Sequence, residues 1–193
     1  MDYYMLFNDQ DLTDGAVIDE VPMNGPKGYF YNRLIPLMEI FPPRGKIFFS
    51  DNFPKNIKVY DFIDSTCGNY YISERTASII QQFQNTSIEF LPVDVMDHTE
   101  SLVQCGTYYI PNTCYSVDYV DIGKTEVIMN SLIEGRIKRF KGDIYIDLSK
   151  VPEDTHFFRS ANSPENYVIS EVLAKALNDA GITGFTLQKL IPS

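Results

Sequence analysis

Four side chains of metal-binding types lie within seven residues of one another. The segment "DVMDHTE" holds three carboxylates and an imidazole, which bind hard or borderline cations: Asp94, Asp97, His98 and Glu100. Their spacing matches neither the loop of an EF-hand nor the HExxH pattern of zinc peptidases. We therefore favour a solvated acidic turn after a strand, and we assign neither a metal nor any other cofactor to the chain.

Nucleophilic chemistry would need a cysteine or a serine with a base in reach. The cysteines are Cys67, Cys105 and Cys114, and the histidines are His98 and His156. The odd number of cysteines and the absence of a CxxC pair argue against a disulfide framework and a structural zinc site. Cys67 lies in the loop "DSTCGN" and is the best candidate for exposure, but no neighbour in the sequence would activate it. A thiol enzyme is therefore disfavoured.

Acidic residues are concentrated at the start of a chain whose formal net charge is −10. Residues 1–26 contain no Lys or Arg and carry six acids: Asp2, Asp9, Asp11, Asp14, Asp19 and Glu20. Two interpretations stay open. One is a solvated surface that aids solubility. The other is a partner-binding patch that faces a basic protein, for which the candidates are Asp9, Asp11, Asp14, Asp19 and Glu20.

Basic residues are too dispersed for autonomous nucleic-acid binding, which requires clustered Lys and Arg. The best cluster is "RIKRFK", residues 136–141, and its alternation of basic and apolar residues is typical of a half-exposed strand. There is no apolar run near the ~20 residues that a membrane span needs. The first residues lack the basic start and cleavage pattern of a signal peptide. We therefore expect a soluble, cytoplasmic protein, and the oligomeric state is left open.

A short motif occurs twice and predicts the elements that position these side chains. "NYYISERTASI" (69–79) returns as "NYVISEVLAKA" (166–176), and the segments 69–93 and 166–190 share seven identities in 25 positions. Ser73 and Ser170 are of the type preferred at the N-terminus of a helix, where the hydroxyl accepts a hydrogen bond from a free backbone N–H. Neither serine lies in a G-x-S-x-G turn, so we interpret both as helix caps rather than nucleophiles.

Each copy predicts a helix of about three turns followed by a short turn and a strand. In the second copy the apolar residues form one stripe, consisting of Val172, Leu173, Ala176, Leu177 and Ala180, and Gly181 stands where a left-handed cap would end the helix. The first copy has Thr76, Ile79, Ile80 and Phe83 in matching places, with Arg75 as the exception. Gln84 replaces the glycine, and Thr86 matches Thr183.

The remaining pattern predicts an α+β fold, mostly antiparallel sheets with a few short helices and two related strand-helix-strand units. A length of 193 residues allows one large domain or two small ones. We expect an acidic segment, 1–55, packed on a main domain, 56–193, or one continuous domain. Residues 29–40 are predicted to be a helix, with a start or kink at Pro36. Predicted strands are 46–50, 57–63, 87–95, 125–130, 135–148 with a turn at Lys141-Gly142, 155–161 and 184–190, and two more in 106–121 that break at Pro111-Asn112.

The order of three segments resembles a known family. They are "YYISERTASII…IEFLPV", "YYIPN…VDYVD" and "VISEVLAKALNDAGITGFTL", the last being the most specific, within residues 55–191. The chain is similar to an immunity-protein family of bacterial polymorphic toxin systems, formerly a domain-of-unknown-function family. The resemblance implies a cytoplasmic, non-enzymatic α+β protein that binds and neutralises a cognate toxin domain, with no cofactor.

Two functions of different classes therefore stay open. The first is an immunity protein, whose acidic balance suits a basic toxin because opposite charge speeds association. The second is a small ligand-binding regulator or enzyme whose site the sequence does not reveal. A toxin gene immediately upstream would favour the first function, and catalytic turnover by the isolated chain would favour the second.

Overall fold

The computed structural model describes residues 1–9, 11–83 and 88–193. The described residues form two α-helices, α1 (Glu74–Gln82) and α2 (Glu171–Asp179), and short 3-10 turns at Gly28–Phe30 and Leu148–Lys150. Strands of the first part are β1 (Tyr3–Asn8), β2 (Val17–Ile18), β3 (Gly45–Phe48), β4 (Phe62–Ser65), β5 (Tyr71–Ser73), β6 (Ile88–Met96) and β7 (Tyr108–Thr113). Those of the second part are β8 (Ser116–Val117), β9 (Glu126–Met129), β10 (Ile137–Lys141), β11 (Tyr145–Ile146), β12 (Phe157–Ser160), β13 (Tyr167–Ser170), β14 (Phe185–Lys189) and β15 (Ile191–Pro192).

Two larger sheets carry most of these strands. The first sheet has the order β2-β4-β5-β7-β6-β3, and the second has the order β14-β1-β13-β12-β8. Smaller two-stranded sheets are formed by β9 with β10 and by β11 with β15. Most pairs are antiparallel, and the parallel pairs are β2–β4, β8–β12, β3–β6 and β11–β15. The fold is broadly α+β, as predicted.

The two larger sheets repeat one arrangement of strands. Read from β2, the first sheet runs β2-β4-β5-β7-β6, and the second runs β8-β12-β13-β1-β14 in the same order of elements. The pair at one end is parallel in both sheets, and in both the strand before the helix is antiparallel to its two neighbours. The duplication therefore extends beyond the short motif to nearly a whole sheet.

Each repeat gives its first strand to the other repeat's sheet. In chain order, β1, β2, β4, β5, α1 and β6 correspond to β7, β8, β12, β13, α2 and β14. β1 pairs with β13 and β14, whereas β7 pairs with β5 and β6. The registers agree, since Tyr3 lies opposite Ser170 and Tyr108 lies opposite Ser73. The two sheets are therefore tied together by exchanged strands.

The hydrophobic core has three parts because each sheet is buried on both faces. A joint core lies around the two helices and takes side chains from both sheets, such as Ile72 and Ile169. The alternate residues of the same strands, Tyr71 and Val168, face away into two separate clusters. Those outer clusters are covered by the long connections that differ between the repeats.

We call these connections the first insert (residues 19–61, between β2 and β4) and the second insert (residues 118–156, between β8 and β12). The first insert includes β3, and its Leu37 and Phe41 cover the first sheet. The second insert includes β9, β10 and β11, and its Tyr119 and Ile146 cover the second sheet. The two sheets thus share one strand arrangement, but the inserts that cover their outer faces differ in structure.

Both motif copies begin their helices as predicted. The Ser73 hydroxyl accepts a hydrogen bond from the N–H of Thr76, and the Ser170 hydroxyl accepts one from the N–H of Leu173. Gly181 has φ +63°, and the N–H of Ile182 donates to the carbonyl of Leu177, which completes the left-handed cap of α2. Gln84 and Thr86 lie outside the described residues.

The buried stripes are narrower than predicted. In α2 the buried side chains are Leu173, Ala174 and Leu177, whereas Val172 and Ala180 are exposed. Each helix has nine residues, so fewer positions face the core than three full turns would supply. The first copy buries Thr76, Ala77 and Ile80.

The predicted helix at 29–40 is wrong. The segment has one short 3-10 turn at Gly28–Phe30 and is otherwise irregular. Leu34 has φ +57°, which an α-helix does not allow, and Pro36 disfavours helical geometry in the residue before it. Glu89 of β6 instead accepts hydrogen bonds from the backbone N–H groups of Leu37 and Met38.

Two strand boundaries also differ from the prediction. The strand expected at 57–63 is β4, which begins only at Phe62. The break expected at Pro111 is absent, because β7 continues through Pro111 to Thr113. β5 pairs only with Tyr108 and Tyr109, so the prolyl nitrogen interrupts no ladder on that side in the described part of the chain.

The division into segments 1–55 and 56–193 stays a prediction. Within 1–55, β1 pairs with β13 and β14, and β3 pairs with β6. Across residues 1–9, 11–83 and 88–193, neither helix has the length and apolar character that crossing a membrane would require.

Candidate functional site

The acidic residues near the N-terminus separate into two groups. Asp14 lies 2.7 Å from the Tyr60 hydroxyl and 3.5 Å from the Lys58 ammonium. The hydrogen bond from Tyr60 lowers the pKa of Asp14, and the charge of Lys58 lowers it further. Asp19 accepts hydrogen bonds from Ser50 and from the Asn52 amide, at 2.5 and 2.9 Å. Two of the five candidates thus have side-chain partners within the chain.

The other three candidates are Asp9, Asp11 and Glu20. Asp9 accepts a hydrogen bond from the backbone N–H of Asp11, and both residues border a shallow depression beside Thr186. Glu20 is exposed at the start of the first insert. The five carboxylates lie along one segment of the chain, and the hydrogen bonds and ion pairs described for them share no common partner. Such an arrangement suits long-range electrostatics.

The metal-ligand types of "DVMDHTE" are used in separate contacts. Asp94 forms an ion pair with Arg44, with an oxygen–nitrogen distance of 2.5 Å. Asp97 accepts hydrogen bonds from the Thr99 hydroxyl and the Ser101 N–H, and these two contacts lower its pKa. His98 lies 3.4 Å from Asp51. Among the described residues, no three His, Cys, Asp or Glu side chains are grouped so that they could hold a metal ion.

The cysteines are unpaired and half-buried. Burial raises the pKa of the Cys105 and Cys114 thiols, which reduces the fraction of reactive thiolate. Cys67 contacts the hydroxyls of Ser65, at 3.0 Å, and Tyr71, at 3.5 Å. These neighbours are neutral and provide no base, so the arrangement does not activate a nucleophile.

The serine-histidine contact is closer than the sequence suggested. The Ser170 hydroxyl lies 2.8 Å from Nδ1 of His156, and in the first repeat the Ser73 hydroxyl donates to Asp61 at 2.7 Å. Asp61 and His156 occupy the same place, one residue before β4 and β12. Both serines are buried and cap helices. The common arrangement is structural, since the serine is inaccessible and its partner residue differs between the repeats.

A groove lies where the two inserts meet. A groove of about 490 Å³ is lined by the first insert at Tyr29, Asn32 and Arg33, by the second insert at Asn130, Ile133, Arg136 and Lys138, and by Glu165. The Arg136 guanidinium donates to the carbonyl of Asn32 at 3.2 Å and joins the two walls. We call this feature the insert groove.

The apolar residues beside the insert groove are unusually exposed. The end of β9 and the turn that follows present Met129, Leu132 and Ile133, and Leu132 is 91% exposed. In this region the only possible binding cluster considered from the sequence was "RIKRFK". The groove could not be found from sequence because its walls are about a hundred residues apart.

A buried arginine holds the backbone of the first-insert wall of the groove in place. Arg159 of β12 is 2% exposed and donates to the backbone carbonyl of Tyr31 and to the hydroxyl of Tyr167. Its guanidinium lies over the Tyr167 ring, 4.5 Å from the centroid. A charged group this buried needs fixed partners, so the backbone at Tyr31, between Tyr29 and Arg33, is held in place.

Comparison with known families decides the identity. Residues 38–191 match the model of the immunity protein family (Imm11). The chain belongs to the Imm11 immunity protein family. The resemblance predicted from residues 55–191 is confirmed, and the match begins further toward the N-terminus. It covers the second wall of the insert groove, whereas residues 29–33 of the first wall precede it. A search of curated proteins finds no match.

Proposed function

We propose that this Imm11 protein neutralises a cognate toxin domain by binding it directly in the bacterial cytoplasm. Membership of an immunity protein family is the observation that carries the proposal. The site geometry is consistent with a non-enzymatic role. Ser73 and Ser170 are buried helix caps, and Asp94 and Asp97 make separate contacts with Arg44 and Thr99.

We further propose that the acidic segment speeds the encounter with a basic toxin. A net charge of −10 attracts a cationic partner over about 10 Å at moderate ionic strength. Asp9, Asp11, Asp14, Asp19 and Glu20 contribute half of that formal excess from one part of the molecule. Because their effect is long-range electrostatic attraction, we expect it on the association rate rather than on the lifetime of the complex.

Coexpression tests the function itself. A toxin domain encoded by a neighbouring gene, sought first immediately upstream, would be expressed in a sensitive host with and without the present chain. We expect the chain to restore growth and to elute with an inactive toxin variant as one complex in size-exclusion chromatography. The proposal would be contradicted if growth stopped although the chain is expressed in soluble form and no complex is detected. It would also be contradicted if the chain protected the host by catalysing a reaction on its own.

The acidic-segment proposal has its own test and a matched control. Asp9, Asp11, Asp14 and Asp19 would be changed together to Asn, and association would be followed by stopped flow. We expect slower association at low salt and little difference at high salt. The control removes four exposed charges elsewhere: Glu39, Glu100, Asp143 and Glu153. Equal slowing by both sets would show that only net charge matters and that this segment has no special part.

A further inference from the structure

The turn between β9 and β10 displays apolar side chains in a fixed shape. Asn130 accepts hydrogen bonds from the N–H groups of Leu132 and Ile133, at 2.8 and 3.1 Å. The N–H of Asn130 donates to the carbonyl of Arg136, and Gly135 has the positive φ of +75° that closes the turn. An apolar surface that is already ordered loses little entropy on binding.

The exposed apolar residues are not explained by the fold. The second insert buries Ile137 and Ile144 in the outer cluster of its own sheet, yet it leaves Ile128, Met129, Leu132 and Ile133 outside within six residues. Single exposed apolar residues are ordinary, but a contiguous group rimmed by polar residues is typical of a protein-binding site.

The charge around the insert groove is opposite to that of the whole protein. Arg33, Arg136 and Lys138 line it together with one carboxylate, Glu165, in a chain of net charge −10. The Arg33 guanidinium lies 4.8 Å from the centroid of the Tyr29 ring, which orients its planar donors. Oriented guanidinium groups bind carboxylates through paired hydrogen bonds.

We propose that the insert groove and the adjoining turn form the contact surface for the toxin domain. The occupant is a segment of the toxin that carries an apolar side chain flanked by carboxylates. The apolar side chain packs against Leu132 and Ile133, and the carboxylates pair with Arg33 and Lys138. This inference rests on the proposed function and concerns the short-range contact, whereas the acidic segment acts on the rate of encounter.

The repeat structure supports this assignment independently. The sheets and helices of the two repeats match in order and pairing, so the inserts are the largest structural difference between them. The inserts are where the repeats differ, and the insert groove is built from both of them and joined by the Arg136–Asn32 hydrogen bond. Specificity for one toxin requires a surface that can change without disturbing the common frame.

Calorimetric titration with an inactive variant of the upstream-encoded toxin domain tests the surface. Leu132→Asp is expected to raise Kd about 30-fold or more, as truncation of a central anchor does. Arg33→Glu is expected to raise it about tenfold and to make the complex less sensitive to salt. Both side chains are exposed, so melting temperatures should match that of the wild type.

Ile122→Asp and Lys124→Glu are the matched controls. Both residues are exposed in the same insert, at the opposite end of the β9–β10 hairpin, and neither lines the groove. Their Kd should stay within about threefold of the wild type. Wild-type affinity in both groove variants would contradict the assignment of this surface while leaving the proposed function intact. Tighter binding by Arg33→Glu would contradict the proposal that the bound toxin segment is acidic. A wild-type chain that does not bind the toxin domain would contradict both proposals.

Discussion

The two repeats of this immunity protein agree in their frame and differ in their inserts. In both repeats, the strand before the helix ends in a buried serine that caps the helix. The backbone N–H of the glutamate after that serine donates to the carbonyl of the residue before the exchanged strand. These hydrogen bonds join Glu74 to Thr107, at 3.1 Å, and Glu171 to Asp2, at 2.8 Å. The inserts share no such pattern, since one is mostly irregular and the other forms a hairpin. The difference separates the part that fixes the fold from the part to which we assign toxin contact.

The exchanged strands make the stability of each repeat depend on the other repeat. Because β1 belongs to the second sheet and β7 to the first, neither repeat has a complete sheet of its own. The joint core likewise takes Ile80 and Leu177 from the two helices. We therefore expect one cooperative unfolding transition rather than two. The following predictions are in order of decreasing expected effect.

Gly184→Ala should break the junction between the repeats. Gly184 has φ +89°, and a Cβ there would overlap the backbone carbonyl oxygen of Phe62 in β4. We expect a loss of about 4 kcal/mol, from strain in the left-handed region and displacement of β4, measured by urea unfolding. Gly106→Ala is the control, because Gly106 has φ +83° but open space around its Cβ position. Its loss should be about 1 kcal/mol, and equal losses would show that the junction is not tight.

Ile80→Ala and Leu177→Ala should cost similar amounts. The two residues occupy the same place in α1 and α2 and are 1% and 0% exposed in the joint core. Each truncation should destabilise by about 3 kcal/mol. Tyrosine fluorescence and far-ultraviolet circular dichroism should report the same midpoint in each variant. Two separate midpoints would mean that the repeats unfold independently, against the strand exchange.

Ser73→Ala and Ser170→Ala should weaken their helices about equally. Each change removes the acceptor for one N–H in the first turn and should cost about 1 kcal/mol, lowering Tm by about 3 °C in a chain of this size. If instead Ser170 were a nucleophile, Ser170→Ala would abolish toxin protection while Ser73→Ala left it intact. Thermal scans and coexpression of the two variants distinguish these outcomes.

The smallest effect concerns a contact that one repeat makes and the other lacks. Arg75 of α1 donates to the carbonyls of Ala180 and Gly181 at the C-terminal end of α2, at 2.8 and 2.9 Å. Val172, its counterpart in α2, is 47% exposed. Because the Arg75 side chain is itself 56% exposed, Arg75→Ala should cost only about 0.5 kcal/mol. Val172→Ala should be neutral in the same unfolding assay, and an equal loss would contradict the asymmetry.

Local chemistry made the frame partly predictable. Ser73, Ser170 and Gly181 have conformational preferences that act over one helical turn, so the caps followed from the sequence. The strand exchange did not, because β1 and β7 share only a Tyr-Tyr pair and their partners are far away in the chain. The predicted break at Pro111 is wrong because the sequence does not show which residues of β7 pair with β5. That pairing involves only Tyr108 and Tyr109 and does not reach Pro111.

The candidate site was the least predictable part. The acidic residues were visible as composition, but only the structure shows Asp14 and Asp19 held by Tyr60 and Ser50. The insert groove joins residues 29–33 to residues 130–138, and the helix predicted for the first of these segments is wrong. Its position depends on long-range contacts, including the buried Arg159 that holds the Tyr31 carbonyl.

Hydrogen–deuterium exchange with and without the inactive toxin domain tests the central claim most directly. That claim assigns stability to the shared frame and toxin contact to the inserts. We predict slower exchange on binding at residues 29–33 and 130–138, with α1 and α2 unchanged. New protection confined to the helices, or to residues 11–20, with the insert groove unaffected would contradict it.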